Sequence, residues 1–417
     1  MENAHIDFEL LALVVIVCTI VYSMLSKAIS KTILTLPLLF VALGLLCAPV
    51  TPALGSPEEL RGTARLVAEI TLVLVLFTDA SSVRFAQLRN TYTIPLRMLV
   101  IGMPLTIVLG TVAVLFINPE TGLALALLTA ALLTPTDAAL GQTVVTSPDV
   151  PRHLSQSINV ESGLNDGLAL PFVLFGAILA SQSAAGTDGL ALMALTQVIL
   201  GPIVGIAVGW SAARALDYVQ QRDWIVDSAQ GVVFLGTAFV SYLASELVGG
   251  NGFIAAFVAG AVFGNVYRHD IHFITEFMEG AGQLLTMAAF LIFGALMLPD
   301  GLAHMNWPTV AVALSFLTFV RMLPIFLSLA GTGLAVRDKL FLGWFGPRGL
   351  ASILFTLIMM EEFDLPHAEE LLACVSLTVG VSVLLHGVSA TPLARYIGSF
   401  KGSTQAEGSA GAPVSKT

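Results

Sequence analysis

The chain has 417 residues, of which 56% are hydrophobic and 11% charged, and its mean hydropathy is +0.89. Soluble domains carry about 25% charged residues, so this stock cannot build a water-facing surface, and the bilayer must be the solvent for most of the chain. The net charge of −10 comes with no basic run, which argues against a nucleic-acid partner.

Only helices and closed barrels satisfy their backbone polar groups in lipid. Barrel strands would read as ~10-residue alternating segments. Here the apolar runs are ~17–25 residues long, which suits spanning helices. About thirteen spans are expected on this length criterion, in an all-α polytopic membrane protein. In chain order they run Phe8–Leu25, Ile33–Ala48, Leu66–Asp79, Leu96–Ile117, Thr121–Val145, Leu154–Ser181, Leu195–Leu216, Val226–Val248, Gly252–Tyr267, Gly282–Leu298, Thr309–Leu329, Leu340–Met360 and Leu371–Ala390. The first lacks the basic leader of a cleaved signal peptide and reads as a retained helix.

The basic residues set an orientation. With the N-terminus outside, only Arg61 and Arg65 of the 18 Lys and Arg fall in outer loops. Arg321 and Arg348 fall inside spans, and the rest lie in inner loops, at their adjoining span ends or in the tail. The positive-inside rule then predicts N-out and C-in. The outer loops at 361–364 and 181–188 carry no Lys or Arg, in keeping with this. Residues 1–401 form one transmembrane unit, and the Gly/Ser/Ala-rich stretch 402–417 is expected to be a disordered cytoplasmic tail. Cys18, Cys47 and Cys374 lie in apolar runs, without metal or disulfide spacing. No cofactor and no structural metal are expected. The seven histidines fall mostly in termini and loops, His269 and His272 among them.

A charge at the bilayer centre costs about 2.5–3.5 kcal/mol or more, so charges found there usually have a function or a partner. The fifth span contains Thr134-Pro135-Thr136-Asp137. Proline breaks the helix ladder, and unwound backbone is tolerated only where it lines a cavity or is buried in protein. Asp137 can cap the second half of the helix, handle an ion, or do both. The sixth span contains Glu161-Ser162-Gly163-Leu164-Asn165-Asp166. Glu161 and Asn165 share one helix face, and Ser162 and Asp166 the adjacent one. Carboxylate, amide and hydroxyl oxygens suit a hard cation. The twelfth span contains Gly346-Pro347-Arg348-Gly349, a second interruption seven spans after the first. Paired interruptions of this kind point to an inverted-repeat transporter. Arg348 needs an acidic partner at this depth, and Glu161 is the expected one. That pairing would leave Glu161 structural and Asp166 working. Arg321 has no evident partner. Glu69, Asp79 and Glu246 lie near span ends and read as interfacial or helix-pairing groups.

These three stretches together resemble the NhaP-type bacterial sodium/proton antiporters of the monovalent cation:proton antiporter superfamily, which includes the animal sodium/proton exchangers. Leu76-Phe77-Thr78-Asp79 and the stretch 252–260 add weaker likeness. The resemblance implies inverted six-helix repeats, with the fifth and twelfth helices crossing as broken helices, and interleaved core and dimerisation subdomains. It implies an inner (plasma) membrane homodimer that exchanges Na⁺ for H⁺ by alternating access, in support of pH homeostasis. In it Asp166 would carry cation and proton in turn, with Thr136, Asp137, Ser162 and Glu161 around the ion and Glu161 paired to Arg348. Asn165 before Asp166 marks the electroneutral group. Gly163 stands where many members have a larger residue. A K⁺/H⁺ or Li⁺/H⁺ exchanger of the same fold is the near alternative, and a cation channel a further one. A membrane enzyme using Glu161 and Asp166 as an acid/base pair is disfavoured, because the chain lacks a nucleophile elbow, a His-metal constellation and a phosphate loop.

Overall fold

A computed structural model describes residues 2–29, 32, 34–53, 55–83, 93–181, 187–269 and 272–400. The tail 402–417 and the inner-loop residues Lys31, Arg84, Arg89 and Lys401 lie outside these residues. Among the described residues there are helices and no strand.

The helices are α1 (Glu2–Ile29), α2 (Leu36–Cys47), α3 (Pro57–Ser82), α4 (Thr93–Ile117), α5 (Gly122–Leu132), α6 (Ala138–Val145), α7 (Arg152–Ala180) and α8 (Thr187–Gln221). They continue with α9 (Asp227–Leu247), α10 (Gly252–Val266), α11 (His272–Ile292, carried on to Ala303), α12 (Trp307–Ser328), α13 (Val336–Trp344), α14 (Leu350–Glu362) and α15 (Ala368–Gly398). Seven of the described helices are long and apolar enough to cross a membrane. The expected interruptions are present: α5 and α6 flank the Pro135 break, and α13 and α14 flank the Pro347 break.

Local chemistry sets the ends. α3 begins nine residues before its apolar run, because Ser56 and Glu59 form a reciprocal capping box with Pro57 in the first turn. Asn251 caps α10 by accepting the Ile254 N–H at 3.0 Å. Asn306 and Thr309 box the start of α12.

Two glycine ladders pack the middle of the bundle. Gly201, Gly205 and Gly209 of α8 meet the backbone of α10 at Asn251, Ala255 and Ala259. On its other side α10 presents Gly260 and Gly264 to the Phe77 and Ser81 carbonyls of α3. At each of these positions the nearest atom that a Cβ would meet is a backbone atom. In lipid, helices gain little from apolar burial against each other, so close backbone approach supplies the attraction.

At one end of the bundle Arg65 on α3 reaches Glu69 at 2.7 Å, Glu361 at 3.8 Å and Glu362 at 3.5 Å. This ties α3 to the end of α14. Both partners come from loops and span ends expected on the same side.

Candidate ion-binding site

The two breaks meet. The Asp137 N–H donates to the Pro347 carbonyl at 2.8 Å. The Leu350 N–H, at the start of α14, donates to Asp137 Oδ2 at 2.7 Å. Asp137 Oδ1 accepts the Leu140 N–H at 3.4 Å, in the first turn of α6. One carboxylate therefore sits at the positive ends of two half-helices. Both roles open to Asp137 thus begin with capping, and it caps two helices. Gly349 makes this possible, since a Cβ there would fall on the Asp137 carboxylate.

Arg348 takes the opposite end. It is fully buried, and its Nη1 donates to the Thr134 carbonyl and, at 3.2 Å, to the Pro135 carbonyl. These carbonyls have lost helical partners at the end of α5, where the dipole is negative.

The expected Glu161–Arg348 pair is not formed. Glu161 instead holds Arg321 in a fork, Nη1 to Oε1 at 2.5 Å and Nη2 to Oε2 at 2.7 Å. Both residues are buried, at 2% and 3% exposure. The reason lies in the break itself: its bare carbonyls claim Arg348, while Arg321 crosses from α12 over Gly346. A Cβ at Gly346 would strike the Arg321 guanidinium. The second buried arginine, which had no evident partner, is the ion-pair partner of Glu161. Gly346 carried that signal, as space for a neighbour's side chain.

The α7 side of the site faces the α5–α6 break. Thr136 Oγ1 lies 3.1 Å from Ser162 Oγ and accepts the Asn165 amide at 2.5 Å. Asp166 is 8% exposed, and its Oδ1 has no hydrogen-bond partner among the described residues. A buried carboxylate oxygen without a donor needs a proton or a cation nearby. Asp166 lines a cavity of about 690 Å³ together with Asp79, Asp137, Gln142, Asn159 and Gln283. Asp79, read above as an interfacial or helix-pairing group, faces this cavity from α3. It packs beside Gly163, whose missing Cβ would lie 3.6 Å from the Asp79 Cβ. The cavity wall is drawn from the start of α2, the end of α6 and the first turns of α7, the end of the bundle that carries Arg152.

A family profile described as "Sodium/hydrogen exchanger, transmembrane" matches residues 11–396. The chain belongs to this sodium/hydrogen exchanger family. Among its curated relatives, the K(+)/H(+) antiporter NhaP2 of Shewanella sp. (strain ANA-3) is 26% identical, over 89% of this chain and 64% of its own length. The K(+)/H(+) antiporter NhaP of Alkalimonas amylolytica is 27% identical, over 92% of this chain and 66% of its own length. The chain therefore spans slightly less than two thirds of these relatives. In fold it is similar to the sodium proton antiporter MjNhaP1 from Methanocaldococcus jannaschii, with a TM-score of 0.77 at 18% identity, covering 95% of this chain and 99% of that one. Membership of the exchanger family fits an α-helical polytopic membrane protein.

Proposed function

We propose that this chain is a secondary transporter that exchanges a monovalent cation for protons at Asp166, by alternating access across a bacterial plasma membrane. The observation that carries this reading is the unpartnered Asp166 Oδ1 at the wall of the cavity. Neither buried arginine nearby bonds Asp166. Arg321 is held by Glu161, and Arg348 faces the Thr134 and Pro135 carbonyls. The counter-charge at Asp166 must then be mobile: a proton or a metal cation, each excluding the other. An ionised carboxylate without either is costly out of water. If only an occupied site crosses between the two faces, obligatory exchange follows.

In this reading Thr136, Ser162 and Asp166 offer oxygens to the ion. Asp137 acts through its charge, since both of its oxygens already accept backbone N–H groups. Glu161 acts as the structural member of its pair with Arg321. Asn165 is neutral and holds Thr136, so one proton per cation, an electroneutral cycle, follows from a single working carboxylate. Asp79, on α3 beside Gly163, adds a second carboxylate to the cavity wall. With N-out and C-in, thirteen passes and inverted six-helix repeats, the cavity faces the cytoplasm. A homodimer and a role in pH homeostasis complete the reading.

The cation is Na⁺ on the sequence resemblance, while the names of the curated relatives above favour K⁺ as the second reading. Proteoliposomes loaded with Na⁺, K⁺ or Li⁺ under an imposed pH gradient test both. Saturable counterflow in the wild type, abolished in Asp166→Asn, is expected. A valinomycin voltage clamp leaves an electroneutral rate unchanged. Full exchange by purified Asp166→Asn would remove the central claim, and currents that follow voltage without a counter-ion would make the protein a channel.

A further inference from the structure

α15 carries two polar side chains one turn apart, Ser382 and His386, both almost wholly buried. They face the break between α13 and α14. His386 Nε2 lies 3.0 Å from the Trp344 carbonyl, at the last residue of α13. A carbonyl only accepts, so Nε2 carries the hydrogen. In a neutral imidazole Nδ1 is then an acceptor. Ser382 Oγ, 3.1 Å away, donates to it. The same Ser382 Oγ accepts the Arg348 N–H at 2.7 Å. Nδ1 also lies 3.0 Å from the Ser382 carbonyl, a contact that becomes a bond only in the imidazolium. The rings of Trp344 and Phe345 pack beside the imidazole.

The relay therefore runs from the Arg348 N–H to Ser382, from Ser382 to His386, and from His386 to the Trp344 carbonyl. It grips both lips of the break: the last carbonyl of the first half-helix and an amide four residues on. From there the chain of bonds continues into the ion site. Pro347 accepts the Asp137 N–H, and Arg348 itself reaches the Thr134 and Pro135 carbonyls. Neither Ser382 nor His386 lines the cavity. They brace the broken helix from behind.

We propose that Ser382 and His386 are positioning residues for the cation site, a relay that fixes the α13–α14 break and thereby the geometry of the oxygens around Asp166. This rests on Asp166 being the exchange site, as proposed above. A break that relaxes moves Asp137 and the Thr134–Thr136 backbone together, because each is bonded to it. A site built to match a cation then binds it less tightly. Loss of a brace that merely aids folding would instead reduce the amount of folded protein and leave the affinity of the survivors unchanged.

The test is cation affinity in purified, folded full-length protein, read two ways. One is the apparent KM for whichever of Na⁺ or K⁺ the wild type exchanges in proteoliposomes. The other is the midpoint of thermal stabilisation by that cation, which needs no transport. In His386→Leu the Trp344 carbonyl keeps only the Gly346 N–H, at 2.8 Å, and the Ser382 hydroxyl loses its acceptor, so both lips of the break lose their tie to α15. A weakening of about tenfold in both readouts is expected, 1.4 kcal/mol being one decade, with turnover per folded molecule within about twofold. Ser382→Ala is expected to act in the same direction. His386→Gln places an amide N–H near the position of Nε2 and is expected to recover to within about threefold of wild type. Should His386→Leu not fold, Ser382→Ala and His386→Gln carry the comparison. Wild-type affinity in Ser382→Ala and in whichever His386 variants fold would overturn the proposal, as would equal loss in Gln and Leu. The two readings separate cleanly. Asp166→Asn that still exchanges ions refutes the site, whereas unchanged affinity in the His386 and Ser382 variants, with Asp166→Asn inactive, refutes only the relay.

Discussion

Replacing Arg321 by Met tests the ion pair that the structure substitutes for the one expected from sequence. Glu161 and Arg321 are 2% and 3% exposed and share two charge-assisted bonds of 2.5 and 2.7 Å. Bonds to charged groups contribute about 1.5–3 kcal/mol each, so about 3–6 kcal/mol rides on the fork. Removing one member of a buried pair typically costs about 3–5 kcal/mol, chiefly because the other is left charged and alone. Arg321→Met and Glu161→Gln should each lose about that much in equilibrium unfolding from mixed micelles. The double variant should recover part of it, giving a coupling of about 2 kcal/mol or more. Arg321→Lys should fall between, since an ammonium cannot repeat the planar fork. The same cycle run with Arg348→Met should show a clearly smaller coupling to Glu161. A larger coupling for Arg348 than for Arg321 would refute the assignment and reinstate the sequence expectation.

Three further outcomes are expected. Gly349→Ala puts a methyl group on the Asp137 carboxylate, so exchange should fall by about tenfold or more for a shift of even 1.4 kcal/mol, while the protein stays folded by gel filtration. Gly264→Ala pushes a Cβ into the Ser81 carbonyl and should cost about 1–3 kcal/mol of stability, seen as a lower melting temperature. At the Arg65 cluster, beyond the end of the twelfth span, burial pushes the Glu362 carboxyl up from 4.5 to about 6, with Arg65 opposing and the Glu246 and Glu69 charges adding to it. The folded protein then holds this proton more tightly than the unfolded chain. Its contribution to stability declines as pH rises from about 4.5 through about 6. Glu362→Gln should flatten that part of the profile, measured as the wild-type minus variant difference in melting temperature. An identical slope in both proteins would exclude Glu362 as its source.

Much of this architecture was legible in sequence because its signals are local. Pro135 follows Thr134 and precedes Thr136-Asp137, and Pro347 stands between Gly346 and Arg348-Gly349, and the structure has a break at each, whereas Pro171 and Pro202, set in apolar runs, are carried inside continuous helices. The Glu161-to-Asp166 motif keeps its members together because they lie within two turns of one helix. What escaped was whatever depends on which helices touch. Glu161 and Arg321 are 160 residues apart, and nothing in either span names the other. Asp79 looked interfacial because its span was taken to end there, whereas α3 runs to Ser82 and carries it along the cavity wall. His386 was one apolar-span histidine among seven mostly in loops and termini, and its meaning lies in a carbonyl 42 residues earlier in the chain. The glycine ladders were written plainly in the four-residue spacing of 201, 205 and 209, but only their contacts reveal which helix they admit.

The crossing of the two breaks is made largely of groups that every residue carries. Amide 137 meets carbonyl 347, amide 350 meets one carboxylate, and one guanidinium meets carbonyls 134 and 135. Most neighbouring side chains can therefore drift without touching the joint, provided that glycine and proline keep their places. Most of such a sequence can change and the joint still form. The similarity to MjNhaP1, a TM-score of 0.77 with 18% of residues shared, has that character. Tolerance to mutation in this chain should accordingly be uneven, generous along the apolar helix faces and narrow at a handful of positions whose side chains are the smallest it has.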